Sequence, residues 1–158
     1  MEHKILSVNE WEALVSGENG LSVPILLHST SGSMAPLIRI NADTVTVIPC
    51  RAADVAVGDI VFVKYKNKVG YLLHRVIRMD GNVIQTMGDN MLHKDTPIST
   101  DAVLGKVVSI DGPGKHIDCT ARRQRRRGRR RVRLIPLRPA WFFVKRVRAK
   151  IKHLILRK

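Results

Sequence analysis

Between residues 22 and 110 the chain reads as short apolar runs, several of them alternating, cut by clusters of Gly, Asn, Asp and Lys. Thr44-Val45-Thr46-Val47-Ile48 alternates with a period of two, the pattern of a strand with one face buried. The runs at 23–27, 60–65, 71–79, 83–87 and 103–110 are likewise short and rich in Val, Ile and Leu, with Phe or Tyr in two of them. Lys66-Asn67-Lys68, Asp80-Gly81-Asn82 and Gly88-Asp89-Asn90 separate them as turns. Six such runs predict a mainly β fold, a coiled sheet or partly open β-barrel.

Helical periodicity is confined to the two ends. Asn9-Glu10-Trp11-Glu12-Ala13-Leu14-Val15 predicts a short N-terminal helix with Trp11, Leu14 and Val15 inward, ended by the glycines of 17–20. Gly112-Pro113-Gly114 is expected to close the last strand. Beyond it, residues 140–158 place Phe143, Val147, Ile151, Leu154 and Ile155 three and four apart, with basic residues elsewhere around the wheel. That is a basic C-terminal amphipathic helix. Between them, nine of the twelve residues Arg122–Arg133 are arginine, a run too charged to fold alone. The expected organisation is therefore a β domain over 1–118, with its motifs in 29–110, an Arg/Pro-rich linker over 119–139, and the helix over 140–158.

Charge sharpens this division. All thirteen acidic residues lie at or before Asp118, whereas seventeen of the 28 Lys and Arg lie from Arg122 onward, so a body of −2 carries a tail of +17. A basic stretch with an apolar face is expected to meet an anionic membrane surface through 122–158. Nucleic acid is the competing partner, ranked lower because it would leave that apolar face uncovered. The first twenty residues hold Glu2, Glu10, Glu12 and Glu18 and no apolar run, so no secretory signal is expected. No apolar stretch approaches the roughly 20 residues of a spanning helix. The location expected from these features is cytoplasmic, peripheral at the membrane's inner face. Cys50 and Cys119 are read as free thiols of a reducing compartment, and no Cys/His spacing calls for a metal or other cofactor.

Three fragments carry candidate chemistry: Ser31-Gly32-Ser33-Met34-Ala35-Pro36, His74-Arg75-Val76, and Gly88-Asp89-Asn90 with Asp95 behind it. Together they supply a hydroxyl, an imidazole and a carboxylate. A serine hydroxyl attacks an amide only with a base in hydrogen-bond reach and a third group that fixes the base's tautomer. Read singly, Ser-Gly-Ser is an ordinary turn, His74 a structural histidine on an apolar strand, and Asp89 a turn carboxylate.

Read together with Val57-Gly58-Asp59-Ile60-Val61 and Gly105-Lys106-Val107-Val108, these fragments resemble the successive boxes of type I signal peptidases over residues 29–110. His74 stands where most bacterial members and the related LexA-type repressors place a lysine, so the resemblance is closest to the Ser-His branch of archaea and the endoplasmic reticulum. It implies Ser33 as nucleophile, His74 as general base and Asp95 as the carboxylate orienting the imidazole. It further implies Ser31 and the backbone N–H of Ser33 as oxyanion-hole donors, and an apolar substrate groove beside Met34 and Pro36. Asp89 is expected to hold its loop, with Arg75 stabilising a neighbouring carboxylate. The chain departs from the family in the polar stretch before Ser33, where signal peptidases carry a membrane anchor. The expected activity is that of a serine endopeptidase cleaving a signal or leader peptide after small residues. Its alternatives are a LexA-like self-cleaving or nucleic-acid-binding regulator, or a catalytically inactive peptide-binding module.

Overall fold

Ile60, Val61, Phe62 and Val63 are all buried, which a strand achieves only with a packed layer on each face. The computed structural model describes residues 8–16, 24–28, 30–64 and 70–155, and Ile60–Lys64 is the third of its eight strands. These are β1 Ile25–His28, β2 Thr44–Pro49, β3 Ile60–Lys64, β4 Tyr71–Asp80, β5 Val83–Met87, β6 Ile98–Ser99, β7 Val103–Gly112 and β8 Lys115–Asp118. All pairings are antiparallel. The order is β1-β2-β7-β3-β4-β5-β6, with β8 paired to β7, so the fold is a mainly β, curled half-barrel.

The two faces of β3 feed two cores. Ile60 and Phe62 join Trp11, Met34, Ile38, Val45, Val47 and Ile110 on one side, where Trp11 meets Phe62 edge-on at 6.0 Å. Val61 and Val63 join Val55, Val76 and Ile84 on the other. Curling comes from register slips, between Thr46 and Val47 on β2, Phe62 and Val63 on β3, and Val76 and Arg78 on β4. Each inserts a residue on one strand and sharpens the local twist. At Gly105, an added Cβ would lie 2.5 Å from the carbonyl oxygen of Ile48, so the central pairing of β2 with β7 approaches more closely there than any side chain allows.

Helix α1, Val8–Ser16, lays Trp11 into the first core; the side chains of Leu14 and Val15, the 17–20 turn, Val23, Ser29, Tyr65 and Lys66-Asn67-Lys68 lie outside the described residues. Gly112-Pro113-Gly114 does not end the sheet. Gly112 pairs with Lys115 across a two-residue turn with Gly114 at φ +67°, and the chain returns as β8. Proline then glycine suits such a turn, since proline presets the first torsion and glycine accepts the second. The two-residue β6 is too short to leave a periodic trace.

The segment expected to be a linker is helical. Helix α2 spans Arg122–Arg133 and helix α3 Arg138–Ile155, two residues earlier than the periodicity predicts. Arginine is a good helix former, and here the sheet supplies what an isolated run lacks. Gly128 is the buried residue of α2, and a Cβ there would lie 2.4 Å from the carbonyl oxygen of Gly58. Gly58, at φ +101°, is equally tight: its added Cβ would lie 2.8 Å from the backbone nitrogen of Arg129. The two glycines let helix and loop meet backbone to backbone. No helix among the described residues is long and apolar enough to cross a membrane.

Candidate active site

Ser33 sits in a 3₁₀ turn, Gly32–Met34, that Ser31 caps by accepting the Ser33 N–H at 3.2 Å. The following loop clamps this turn. The N–H of Asn90 donates to the carbonyl oxygen of Ser33 at 2.7 Å, and its side-chain amide to that of Gly32 at 3.2 Å. Met34 lies 2% exposed in the core below, where its sulfur accepts the N–H of Asp89 at 3.4 Å.

His74 comes from the middle of β4 and is 5% exposed. Its Nδ1 donates to Asp95 Oδ2 at 2.6 Å, which makes Nε2 the unprotonated, proton-accepting nitrogen of the neutral ring. Asp95 is itself fixed three times. The hydroxyl of buried Thr86 donates to Oδ2 at 2.6 Å, the Asp95 N–H donates to the Thr86 carbonyl at 2.9 Å, and Gln85 Nε2 donates to the Asp95 carbonyl at 3.0 Å.

Gly88 closes the gap between these groups. A Cβ built on it would lie 2.7 Å from the Ser33 carbonyl oxygen and 3.2 Å from His74 Nε2. Ser33 and His74 line one cleft of about 240 Å³, together with Leu27, His28, Ser31 and Tyr71. Strand β1, which borders it, pairs only with β2 among the described strands, so its outer edge carries backbone groups that no described strand pairs.

Asp89 points away from this cleft into a cluster of arginines. Its side chain is 1% exposed; Arg75 grips it with Nε to Oδ1 at 2.8 Å and Nη2 to Oδ2 at 2.6 Å. Arg131 of α2 adds a contact at 2.7 Å, and Arg138 of α3 stands 3.8 Å away. Burial raises the Asp89 carboxyl, but Arg75 and Arg131 outweigh it and hold it below its ordinary value. Arg75 also donates to the Gly58 carbonyl at 2.6 Å, and Arg138 to that of Gly88 at 2.9 Å.

The structure thus brings Ser33, His74, Asp95 and Ser31 to one place, and puts Asp89 and Arg75 in a separate ion pair behind the loop. The two residues of the expected groove part company. Met34 lines the Ser33 cleft from below, whereas Pro36 faces a second cavity against α3. Its peptide bond to Ala35 is cis. Thr86, Arg131 and Arg138 carry no separate sequence signal; Thr86 is one of two polar residues in β5, beside Gln85, and Arg131 is one arginine of a run. Neither cysteine is in a disulfide, burial pushes both thiols up to about 11, and no group of metal-ligating side chains occurs among the described residues. Comparison with protein-family models, curated proteins and solved structures finds no match for this chain.

Proposed function

We propose that this chain is a serine endopeptidase of the signal-peptidase type, and the observation that carries the reading is the 2.6 Å bond from His74 Nδ1 to Asp95 in a cleft shared with Ser33. Ser33 Oγ attacks the scissile carbonyl while His74 Nε2 takes its proton. Asp95 stabilises the imidazolium that forms. His74 returns the proton to the leaving amine, and water releases the acyl group from Ser33 by the same relay. The Ser33 N–H and the Ser31 hydroxyl are the oxyanion donors; because they are bonded to each other here, substrate takes up the donor that Ser31 now caps. The peptide lies extended along the edge of β1 that no described strand pairs. A preference for small residues before the cut follows from the resemblance to signal peptidases.

The tail fits peripheral contact with an anionic membrane. Trp141, Phe143, Val144 and Val147 are exposed on α3, and α2 presents Arg122, Arg123, Arg126, Arg127 and Arg130 around one shallow surface. Apolar area and positive charge side by side suit a headgroup layer.

The test is digestion of a peptide library by the full chain beside Ser33→Ala and His74→Ala, with products mapped by mass spectrometry. Cuts that disappear in both variants, a loss of at least about 10³-fold, are the expected result. Peptides bound but never cut by the parent chain would replace the peptidase with a peptide-binding module.

A further inference from the structure

A second cavity, of about 610 Å³, opens between the Ala35-Pro36 turn and the start of α3. Its walls are apolar: Pro36, Leu134, Leu137, Trp141 and Phe142. Its polar end carries Arg131 and Arg138 beside Asp89. The volume lies in the range of small-molecule sites, which pair apolar walls with a few convergent polar groups.

The charges at that end do not balance. Three guanidiniums, from Arg75, Arg131 and Arg138, converge on one carboxylate, and no acidic residue follows Asp118 to neutralise the others. Burial disfavours the Arg138 cation and lowers its pKa; Asp89 opposes this, while Arg75 and Arg131 add to it. An anion here relieves the crowding, and an alkyl chain attached to it covers the apolar wall. Leu137 and Trp141 are 63% and 64% exposed without such a cover.

We propose that this cavity binds an amphiphilic anion, a single alkyl chain ending in a carboxylate or phosphate, with the head on Arg131 and Arg138 and the chain against Leu137 and Trp141. The proposal is independent of the peptidase reading, since neither Ser33 nor His74 lines the cavity. It differs from surface adsorption of the tail in requiring a bounded site with one ligand per chain. The same chemistry is offered by a free fatty acid and by the acyl chain and headgroup of an anionic lipid.

Dodecanoate and dodecyl phosphate, each below its micelle concentration, are titrated into the full chain while tryptophan emission is followed. Trp141 lies in the wall, and Trp11, 1% exposed, is a constant background. Saturation at one per chain with a shift to shorter wavelength is expected, weakened at least tenfold by Leu137→Asn and by Arg138→Gln and unaltered by Val147→Asn. Leu137 and Val147 are exposed, so those variants retain the fold. Phosphatidylglycerol vesicles separate the sources. Co-sedimentation lost in Leu137→Asn points to lipid, and loss of monomer binding alone points to a free fatty acid; both support the site. The proposal is overturned if saturation is absent, if dodecyltrimethylammonium binds as well as dodecanoate, or if Leu137→Asn binds like the parent chain.

Discussion

Gly88 touches Ser33 backbone to backbone: a Cβ on Gly88 would stand 2.7 Å from the Ser33 carbonyl oxygen and 2.6 Å from Met91 Cγ. Met91 is a flexible side chain and yields; the Ser33 carbonyl, held by the Asn90 N–H, does not. Gly88→Ala is therefore expected to move the Ser33 turn relative to His74. A displacement on the 1 Å scale costs about 10² in rate, so, on the peptidase reading proposed above, peptide cleavage falls by that order in kcat with little change in KM. Steady-state kinetics read the outcome.

Thr86 and Asp95 make a second point of control. The Thr86 hydroxyl donates to the same oxygen, Oδ2, that receives His74. Thr86→Val keeps the shape and removes the donor, and a hydrogen bond to a charged group is worth about 1.5–3 kcal/mol. On the same proposed reading, the expected result is a ten- to hundredfold loss of cleavage, with thermal stability lowered far less than by Asp95→Ala. Paired activity and melting measurements distinguish the two.

The pH dependence of stability has a definite sign. Asp43, 1% exposed, accepts from Arg39 and from Lys115; burial raises its carboxyl, but these partners outweigh it and hold it well below the carboxylate range. Asp89 is lowered too. Both folded-state values lie below the unfolded ones, so the contribution is complete above about pH 4 and is lost as the pH falls below it. The melting temperature is expected to be level from pH 7 to pH 5 and to drop steeply in acid. Asp43→Asn lowers it at pH 7, by about 1–3 kcal/mol of stability, and flattens the acid limb. A melting series across pH settles this.

Most of the sheet is legible in the sequence because alternating apolar residues and Gly/Asn turns act locally, as in Thr44–Pro49 and Val83–Met87. The proximity of His74 to Asp95 was accessible only through resemblance, since twenty-one positions separate them and the bond depends on how β4 pairs with β5. Helix α2 escaped for a different reason. Composition registers repulsion among nine arginines, but the attraction that offsets it comes from Asp89 and from the fit of Gly128 on Gly58, both distant in the chain. The resemblance to signal peptidases implies Pro36 as a groove residue, whereas the turn after Met34 sets it against the cavity beside α3.

Gly128→Ala tests how α2 is seated. The new methyl would meet the Gly58 carbonyl oxygen, a backbone atom, at 2.4 Å and Arg75 Nη1 at 3.1 Å. Overpacking of this kind costs about 1–3 kcal/mol, although alanine alone favours helix. The expected result is faster hydrogen exchange across α2 and faster cleavage by trypsin at its arginines. An unchanged exchange pattern would mean that α2 is not held through this contact.

Asp89 is the common counter-ion of β4, α2 and α3, one carboxylate shared by the β body and by a tail that contains no acid of its own. The tail is consequently not a detachable address label. Shortening the chain before Arg122 would remove Arg131 and Arg138 together, expose Asp89, and release the Gly88 carbonyl beside His74. The proposed membrane contact and the proposed chemistry would then be lost in the same truncated protein, and neither loss could be ascribed to its own cause. Single changes at outward arginines such as Arg123 or Arg126 separate the two, because they thin the positive surface and leave the shared carboxylate with its partners.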